Sequence, residues 1–436
     1  MTADPARNAA LEMLVAALSR KAGLESALEA PGVNALSPQD RSFARALVMT
    51  TLRRLGPIDR ALSACLQREP PEGVRMILRL GAAQLFWLDT PAYAAVDSSV
   101  ALAASTRATR PFKPLVNAVL RRLGREGAPA DDPEGLAPPW LFARWRAAFG
   151  EPDARAIAAL IAEEPATDLT PRAPEDAPAL AEALESRALP GGSLRREARG
   201  RIEAWPGFAE GRWWVQDAAA AIPARLLAAR PGEAVLDLCA APGGKALQLA
   251  AAGAKVTAVD RSGVRLRRLT ESLARTGLPA EAVATDAESW RDPRTFDAVL
   301  LDAPCTSSGT FRRNPDVLWT LRPGDVAKLA EAQSRLLDAA ARRTNPGGRL
   351  VYCVCSLEPE EGEAQARAFL RRTPDFATVP IAAGEGGAPA ASATPEGWLR
   401  ILPHHLDGGL DGFFIARFAR RAAPKADVLA ATPPEG

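Results

Sequence analysis

Two of the cysteines lie in surroundings that suit nucleophilic chemistry. Cys305 follows a proline and Cys355 precedes a serine, and each comes shortly after an apolar run typical of a buried strand. A thiolate is an intrinsically strong nucleophile, and its pKa falls beside positive charge or a helix N-terminus. Because the carboxyl ends of parallel strands meet at one edge of a sheet, we expect both thiols to face one cleft there.

Two thiols in one cleft suit substitution at a weakly nucleophilic ring carbon such as C5 of cytosine. A thiolate that adds at C6 creates an enamine, and C5 can then accept a methyl group. The C5 proton must leave and the thiol must be eliminated, which gives a second cysteine a role as a base or in release. Asp302, which shortly precedes Cys305, could bind N3 and N4 of the base and make C6 more electrophilic.

The remaining cysteines and the histidines suggest no further chemistry. Cys65, Cys239 and Cys353 are interpreted as small apolar core residues, although Cys353 could share a face with Cys355. The two histidines are adjacent, which argues against a Cys/His zinc site and a histidine-based triad. Five cysteines without paired CxxC units favour reduced thiols, so we expect a cytoplasmic protein without a bound metal.

A cofactor site is predicted where the first strand of this sheet ends. The apolar run at 234–238 leads into Cys-Ala-Ala-Pro-Gly-Gly-Lys at 239–245, and a helix follows. Glycines at a strand-to-helix turn let the backbone approach a ligand at the carboxyl edge of a sheet. The sequence contains neither the GxGxxG nor the GxxxxGK[ST] pattern, which leaves S-adenosylmethionine as the favoured nucleoside cofactor.

Acidic residues follow the next two predicted strands. Asp260 ends the second strand, where it could accept hydrogen bonds from both ribose hydroxyls, and Asp286 follows the third, where it could meet the adenine amino group. Either residue alone is more often a turn or helix-capping residue. Their succession at strand ends favours the cofactor site.

The elements that must position these residues form an α/β domain. Apolar runs at 234–238, 255–259, 298–301 and 349–354 are separated by segments long enough for a crossover helix. This pattern predicts a parallel, doubly wound sheet that is buried on both faces, with a last strand at 412–418. We assign residues 231–420 to this catalytic domain and residues 421–436 to a disordered tail.

The N-terminal part of the chain predicts other architectures. Apolar residues recur at helical spacing from 11 to 18, and Ser37 followed by a proline is typical of a helix start. Residues 1–125 are predicted to form a helical bundle, and their 17 Lys and Arg against 10 Asp and Glu suggest a polyanionic partner. Residues 126–230 are predicted to form a small α+β middle domain. The first 20 residues lack a continuous apolar segment, so neither export nor membrane insertion is expected.

The chain resembles the RsmB/Sun family of RNA cytosine-5 methyltransferases over nearly its whole length. The N-terminal third is similar to the family's NusB-like RNA-binding domain, and Val-Gln-Asp at 215–217 resembles the element before its catalytic domain. The resemblance implies a multidomain fold with an all-α NusB-like bundle, a small α+β middle domain and an α/β Rossmann-like class I methyltransferase domain. It rests on residues 40–41, 80–85, 116–122, 237–245, 302–305, 312–316, 355–356, 359–361 and 411–414.

The resemblance also implies roles for the site residues. Cys355 would be the nucleophile, Cys305 would aid product release, and Asp302 would contact the methyl donor besides the base. The expected substrate is 16S ribosomal RNA, free or partly assembled, and the expected protein is a monomer. The residues that would hold S-adenosylmethionine are Cys239, Ala240, Ala241, Pro242, Gly243, Gly244, Lys245, Asp260, Asp286 and Asp302.

Two positions depart from the family's pattern. Val354 stands where the family usually has a threonine before its Cys-Ser pair, so a hydroxyl beside the thiol is lost. Leu-Thr-Pro-Arg at 169–172 stands where the family has a Leu-Arg-x-Asn stretch, which affects the predicted RNA contacts of the middle domain and not the chemistry.

Other hypotheses stay open at this point. Cytosine-5 DNA methyltransferases place their nucleophile in a Pro-Cys motif, so Cys305 could attack a base in DNA, although the NusB-like third argues against a DNA substrate. The RNA could also be a tRNA. A non-catalytic RNA-binding factor for ribosome assembly is a further alternative, and the cysteines and acids at the strand ends argue against it.

Overall fold

The N-terminal part of the computed structural model is a bundle of helices, as predicted. The structure describes residues 4–19, 23–130, 132–197 and 200–422. The apolar faces of the helices share one core that includes Leu14, Leu47, Leu80 and Leu120. The bundle consists of α1 (Pro5–Ala17), α2 (Gly23–Leu28), α3 (Pro31–Asn34), α4 (Pro38–Arg53), α5 (Leu55–Cys65), α6 (Glu72–Trp87), α7 (Ala92–Ser105) and α8 (Lys113–Glu126).

The predicted start of α4 is confirmed in its cap. Ser37 is the N-cap residue, and its hydroxyl accepts a hydrogen bond from the backbone N–H of Asp40 at 3.1 Å. This bond satisfies one of the amide groups that have no partner inside the first turn of a helix. The sequence signal of a serine before a proline therefore located this boundary.

The middle of the chain has the mixed α+β character that was predicted. Its helices α9 (Pro133–Leu136), α10 (Pro139–Phe149) and α11 (Glu151–Ala159) come first, followed by strands and one more helix. The strands form an antiparallel sheet in the order β2-β3-β1-β4. These elements are β1 (Thr167–Pro171), α12 (Ala177–Ala183), β2 (Arg187–Ala188), β3 (Leu194–Arg196) and β4 (Trp213–Val215).

The two parts of this middle segment pack differently. Trp145 and Ile157 of the helices share a core with Phe311, Leu318 and Leu402, which belong to the C-terminal part of the chain. The small sheet has a separate core around Leu169, Leu194 and Trp213. The helices therefore pack into the C-terminal part, whereas the sheet has its own small core and is joined to that part by hydrogen bonds, such as those from Arg172 to Thr276 O at 2.9 Å and from Arg195 to Asp407 O at 3.1 Å.

The C-terminal part is a doubly wound α/β domain. Its strands follow the order β10-β12-β9-β8-β5-β6-β7, with β11 beside β12. Strands β5 to β9 are parallel, and the strands around β12 are antiparallel, so the sheet is mixed at one side. The elements are α13 (Ala218–Leu227), β5 (Ala234–Leu238), α14 (Gly244–Ala251), β6 (Lys255–Asp260), α15 (Gly263–Thr276), β7 (Glu281–Ala284), β8 (Phe296–Asp302), α16 (Asp316–Thr320), α17 (Pro323–Arg343), β9 (Thr344–Val354), α18 (Glu363–Arg372), β10 (Phe376–Thr378), β11 (Leu399–Ile401) and β12 (Phe413–Arg420).

Both faces of this sheet are buried, which explains its continuous apolar runs. Alternate residues of β5 face different cores: Val235 packs on one side, and Leu236 packs on the other. Helix α13 precedes the sequence boundary at 230, yet its Ile222 lies in the same core as Val235. The strands thus hold their carboxyl ends in fixed relative positions beneath the connecting loops.

Two further sequence expectations concern the C-terminal tail and membrane insertion. Except for residues 421 and 422, the expected tail lies outside the described residues. Among the described residues, none of the helices combines the length and the apolar character that a membrane span requires.

Candidate active site

The loops that carry the predicted site residues meet at the carboxyl edge of the large sheet. Strands β5 and β6 are parallel neighbours, and so are β5 and β8 and then β8 and β9. Their last residues are Leu238, Asp260, Asp302 and Val354. The segments that follow these strands therefore start side by side, as the sequence predicted.

The two candidate cysteines are in contact. Their sulfur atoms lie 3.5 Å apart, and both are free thiols that are only partly buried. Ser307 completes the cluster, because its Oγ lies 3.6 Å from the sulfur of Cys355 and 4.0 Å from that of Cys305. Ser307 has a left-handed backbone conformation, with φ at 56°. The turn after Cys305 therefore folds back over the pair.

The contact between the cysteines separates their acidities. A hydrogen bond from Cys305 lowers the pKa of Cys355, although burial and the charge of Asp302 act in the opposite direction. The same bond raises the pKa of Cys305 well above its usual value, and burial adds to this effect. Of the two thiols, Cys355 is therefore the one that is favoured to ionise, with Cys305 as the hydrogen-bond donor to its thiolate.

A buried glutamate joins the loops of the two cysteines. The carboxylate of Glu361 accepts hydrogen bonds from the backbone N–H of Thr306 at 3.0 Å and from the side chain of Gln333 at 2.9 Å. It also accepts from the hydroxyls of Thr306 and Ser356. Thr306 follows Cys305, and Ser356 follows Cys355. Sequence reasoning quoted Glu361 as part of a motif but gave it no role, because only the fold brings residues 306 and 356 together.

Asp302 lies beside the cysteines and is paired with Lys245. The carboxylate of Asp302 accepts a hydrogen bond from Lys245 Nζ at 2.8 Å, and the sulfur of Cys353 lies 3.4 Å from its other oxygen. Burial alone would lower the pKa of Lys245, but the charge of Asp302 raises it, so the ammonium stays charged. The side chain of Asp302 is 29% exposed. Its carboxylate therefore remains accessible to a base with amino and ring N–H groups.

The loop at 239–245 is a tight turn whose backbone suits a close ligand. Cys239 has φ at 61°, and Gly243 has φ at 116°, both in the left-handed region. A Cβ on Gly243 would come within 2.4 Å of Leu269 Cδ1, so only glycine fits there. Burial raises the pKa of Cys239, with a further contribution from Asp260, which leaves this thiol protonated.

Asp260 is tied to this loop. Its two carboxylate oxygens accept hydrogen bonds from the backbone N–H groups of Ala241 at 3.1 Å and Ser262 at 2.8 Å. The neighbouring Ala240 donates its N–H to Val259 O at 3.1 Å. Pro242 and Gly244 complete the turn into α14. Asp260 therefore fixes the backbone of the loop at 239–245 through hydrogen bonds. Its contact with ribose hydroxyls stays a prediction.

Asp286 is the predicted site residue that lies furthest from the cysteine cluster in the strand order. It follows β7, the last strand in the order of the sheet, and its side chain is exposed. Its carboxylate accepts from the backbone N–H of Glu288 at 2.8 Å, which is the turn-capping role that a lone aspartate often has. Its contact with adenine stays a prediction.

Sequence reasoning missed Asp237, the acid that precedes the loop. Its side chain is fully buried, and neither carboxylate oxygen has a hydrogen-bond partner among the described residues. Burial raises its pKa to about 8, and the charge of Asp302 adds to the shift. A buried carboxyl without a partner is costly, whereas a cationic ligand nearby would offset the cost. Together with Asp260 and Asp302, Asp237 makes this edge suited to a positively charged cofactor such as a sulfonium compound.

One family model matches the C-terminal part of the chain, and another matches the N-terminal part. A model described as the 16S rRNA methyltransferase RsmB/F matches residues 224–419, and one described as the NusB family matches residues 4–125. The ribosomal RNA small subunit methyltransferase B of Xanthomonas campestris is 37% identical over 408 residues, which cover 88% of this chain and 92% of that protein. The protein of the same name from Pseudomonas syringae is 36% identical, with 96% and 97% covered.

One solved structure aligns with nearly the whole chain, and another aligns with two thirds of it. The crystal structure of PH0851 aligns with a TM-score of 0.78 at 25% identity, covering 96% of this chain and 99% of that one. The crystal structure of NSun6 from Pyrococcus horikoshii with SFG has the same fold over 66% of this chain and 99% of that one, with a TM-score of 0.56 at 20% identity. The predicted fold class is confirmed by these similarities.

Proposed function

The chain belongs to the family of ribosomal RNA small subunit methyltransferase B, and from this premise we propose that it methylates C5 of a cytosine in 16S ribosomal RNA through a covalent bond between Cys355 and C6 of the base. Membership in the family makes the protein an RNA methyltransferase with S-adenosylmethionine as methyl donor. The choice of C5 is supported by one observation above all: the sulfur atoms of two free cysteines lie 3.5 Å apart beside the ion pair of Asp302 and Lys245.

The first chemical step uses the low pKa of Cys355. Its thiolate adds to C6 of cytosine, and the electrons of the C5–C6 double bond move toward C5 and into the ring. Asp302 accepts a hydrogen bond from the exocyclic amino group and thereby orients the ring, while Lys245 holds the carboxylate in place. When bound in the adjacent loop, S-adenosylmethionine supplies an electrophilic methyl group to the activated C5.

The second step uses Cys305 and explains why its pKa is high beforehand. Once Cys355 has become a thioether, its hydrogen bond and its negative charge no longer raise the pKa of Cys305, so Cys305 can release its proton to solvent. Its thiolate then removes the proton from C5, the C5–C6 double bond forms again, and Cys355 leaves as a thiolate. The cycle ends with the original thiol and thiolate, and one proton is released overall.

Ribosomal RNA as the substrate is supported by the names of the relatives and by the N-terminal third. Ribosomal RNA small subunit methyltransferase B is the name of both relatives described above. The N-terminal third matches the NusB family and has an excess of basic residues, as expected for a part that binds RNA phosphates.

The two cysteine roles can be tested with single substitutions and a 16S ribosomal RNA substrate. With Cys355→Ala, we expect neither 5-methylcytidine in the digested RNA nor a covalent complex on a denaturing gel. With Cys305→Ala, we expect a stable protein–RNA adduct because the C5 proton is no longer removed. Cys65→Ala is the matched control, since this cysteine lies in the N-terminal bundle, and it should methylate like the unmodified protein.

The opposite pattern would contradict the assignment. An adduct with Cys355→Ala and none with Cys305→Ala would make Cys305 the nucleophile, as in the Pro-Cys motif of DNA methyltransferases. Parallel reactions with a tRNA and a DNA duplex test the other substrates. A methyl group found on an atom other than C5 would overturn the proposed chemistry while leaving the family intact.

A further inference from the structure

Two of the motifs on which the family resemblance rests have no role in the chemistry described above. They meet beside the nucleophile. One contains Arg313, and the other contains Asp411. We propose that Arg313 binds a phosphate of the RNA next to the target nucleotide, and that Asp411 is a positioning residue that orients the Arg313 guanidinium. This inference rests on the proposed function, because it concerns how the RNA substrate is held over Cys355.

The backbone brings both residues to Cys355. The carbonyl of Cys355 accepts a hydrogen bond from Gly309 N at 3.0 Å, and the carbonyl of Gly309 accepts from Gly412 N at 2.9 Å. The contact is so close that a Cβ on Gly309 would lie 2.1 Å from Gly412 O. Arg313 lies one turn after Gly309 and Asp411 directly precedes Gly412. The segment of Arg313 is therefore bonded directly to the backbone of the nucleophile, and the segment of Asp411 is bonded to it through Gly309.

The side chain of Arg313 is anchored at one end and available at the other. Its Nε lies 3.1 and 3.3 Å from the two oxygens of Asp411, and its Nη2 also donates to that carboxylate. Its Nη1 has no hydrogen-bond partner among the described residues. The Arg313 side chain is 42% exposed, whereas Asp411 is fully buried. Such a guanidinium is held in one orientation and still presents N–H groups to a ligand.

The neighbouring arginine shows what a purely structural role looks like here. Arg312 is buried, donates to the carbonyl of Gly408 at 2.6 Å, and lies 3.9 Å from the carboxylate of Asp217. Its hydrogen bonds and charge partner are therefore internal. Of the two adjacent arginines, only Arg313 is exposed.

The negative groups around Arg313 keep its guanidinium charged. Burial raises the pKa of Asp411 to about 6, against the opposing effect of Arg313. Burial alone would lower the pKa of Arg313, but the charges of Asp411 and Asp217 raise it, and the charge of Cys355 contributes. Arg313 is therefore close enough to Cys355 for the two charges to interact. A nucleotide placed there carries its phosphates within the same region, and a guanidinium matches a phosphate in charge and in geometry.

The experiment compares Arg313→Gln with Arg294→Gln. Arg294 is a matched control because it is 43% exposed and also paired with carboxylates, but it lies near the amino ends of the strands, close to Glu281 and Phe296. We expect Arg313→Gln to raise KM for the RNA about tenfold or more and to reduce the salt slope of RNA binding by about 0.7–0.9. Arg294→Gln should change neither, and the affinity for S-adenosylhomocysteine should stay unchanged in both.

Asp411→Asn tests the positioning role. The amide keeps an oxygen for the guanidinium but loses the charge, so we expect KM for the RNA to rise by less than with Arg313→Gln. The double variant should show no more than the effect of Arg313→Gln, because the two residues act through one contact. Arg313→Lys keeps the positive charge, so it should restore the salt slope of RNA binding. It should lower KM for the RNA only part of the way back to the value of the unmodified protein.

Other results would overturn the inference. If Arg313→Gln leaves the salt slope and KM unchanged and lowers kcat in a way that higher pH restores, Arg313 serves only the thiolate. If it weakens S-adenosylhomocysteine binding, the residue belongs to the cofactor site. The salt slope is measured without turnover, so it decides the point even if the product is not 5-methylcytidine. Failure of the proposed function would instead appear in the unmodified protein, as absence of that product.

Discussion

The contact between the two cysteines is the largest influence on both of their pKa values, and it shifts them in opposite directions. Cys355 has a lowered pKa because the thiol of Cys305 donates to it. In Cys305→Ala this donor is lost, so we expect the pKa of Cys355 to rise and its alkylation by iodoacetamide to shift to higher pH. Peptide mass spectrometry across a pH series measures the midpoint for each cysteine.

Cys65 serves as the internal control for this measurement. Its pKa is raised by burial and by the charge of Glu126, so it should react at higher pH than Cys355 in the unmodified protein. Its midpoint should not change in Cys305→Ala, because it lies in the N-terminal bundle. An unchanged midpoint for Cys355 would mean that Cys305 does not stabilise its thiolate.

Asp237 offers a second test at the level of one side chain. Its pKa of about 8 lies above the ordinary value of 3.8, so the folded protein holds this proton more tightly than the unfolded chain does. Its contribution to stability is complete below pH 3.8 and is lost as pH rises through about 8. We therefore expect Asp237→Asn to be more stable than the unmodified protein at pH 8, on the order of a few kcal/mol, and the difference to shrink toward acid pH.

Thermal unfolding of both proteins over a pH series, without cofactor, measures this effect. A stability difference that stays constant with pH would contradict the assignment of the raised pKa. Calorimetric titration with S-adenosylmethionine gives an independent reading. A cationic ligand favours the ionised carboxyl, so binding at neutral pH should release a proton from the unmodified protein, and Asp237→Asn should release less.

At this scale the sequence predicted which side chains would meet at the edge of the sheet but not their environment there. Cys305, Cys355, Asp302 and Lys245 could be predicted because their types and their places after strands suit the chemistry. Asp237 carried a signal that went unused: an acid inside an apolar run that is buried on both faces has no ordinary reason to be there. The hydrogen bond between the thiols could not be predicted, since it depends on how closely two loops bring the sulfur atoms, which lie 3.5 Å apart.

At the level of elements, Glu361 is the residue that fixes the two cysteine loops relative to each other. Its buried carboxylate accepts hydrogen bonds from Thr306, Ser356 and Gln333. In Glu361→Gln, the new amide N–H group would face some of these donors without a partner. We expect a loss of kcat of about tenfold or more with a smaller change in KM for the RNA, together with a lower Tm, since a broken buried network costs about 1–3 kcal/mol.

Glu360→Gln is the matched control for this prediction. Glu360 is the neighbouring residue, but its side chain is 50% exposed and pairs with Arg144 at the surface. Exposed ion pairs contribute little, so kcat and Tm should remain close to those of the unmodified protein. Equal effects of the two substitutions would show that Glu361 does not hold the loops.

The elements themselves were largely predictable where one pattern dominates. The apolar runs at 234–238 and 255–259 correspond to β5 and β6 with little error at the ends. Strand β9 begins at Thr344 and not at 349. Asn-Pro-Gly-Gly at 345–348 is typical of a turn, which is why the sequence predicted a later start, but Thr344 pairs with Phe296 of β8. The packing of α10 and α11 on the C-terminal domain had no sequence signal, since it depends on contacts such as Trp145 with Phe311.

At the scale of the whole molecule, the N-terminal bundle is docked on the segment that follows the catalytic loop. The backbone N–H of Leu24 donates to the buried carboxylate of Asp316 at 3.1 Å. The indole N–H of Trp319, three residues further on, donates to Leu52 O at 3.2 Å. Arg60 of α5 donates to Gly135 O at 2.8 Å. The part of the chain with the basic excess is therefore held in a fixed position relative to Cys305.

Gly56 is the residue at which this docking can be tested without removing a domain. A Cβ at this position would lie 2.1 Å from the backbone oxygen of Gly135, so Gly56→Ala must push α5 away from α9. Alanine itself favours a helix over glycine by about 1 kcal/mol, so α5 should not be weakened. Gly124→Ala is the control, because its nearest neighbour would be Leu85 Cδ2 at an ordinary 3.9 Å. We expect Gly56→Ala to raise KM for the RNA several-fold and to speed proteolysis between α8 and α9, with unchanged affinity for S-adenosylhomocysteine. If both alanine variants instead keep the KM and the proteolysis rate of the unmodified protein, the fixed placement of the bundle is not what brings the RNA to the cysteines.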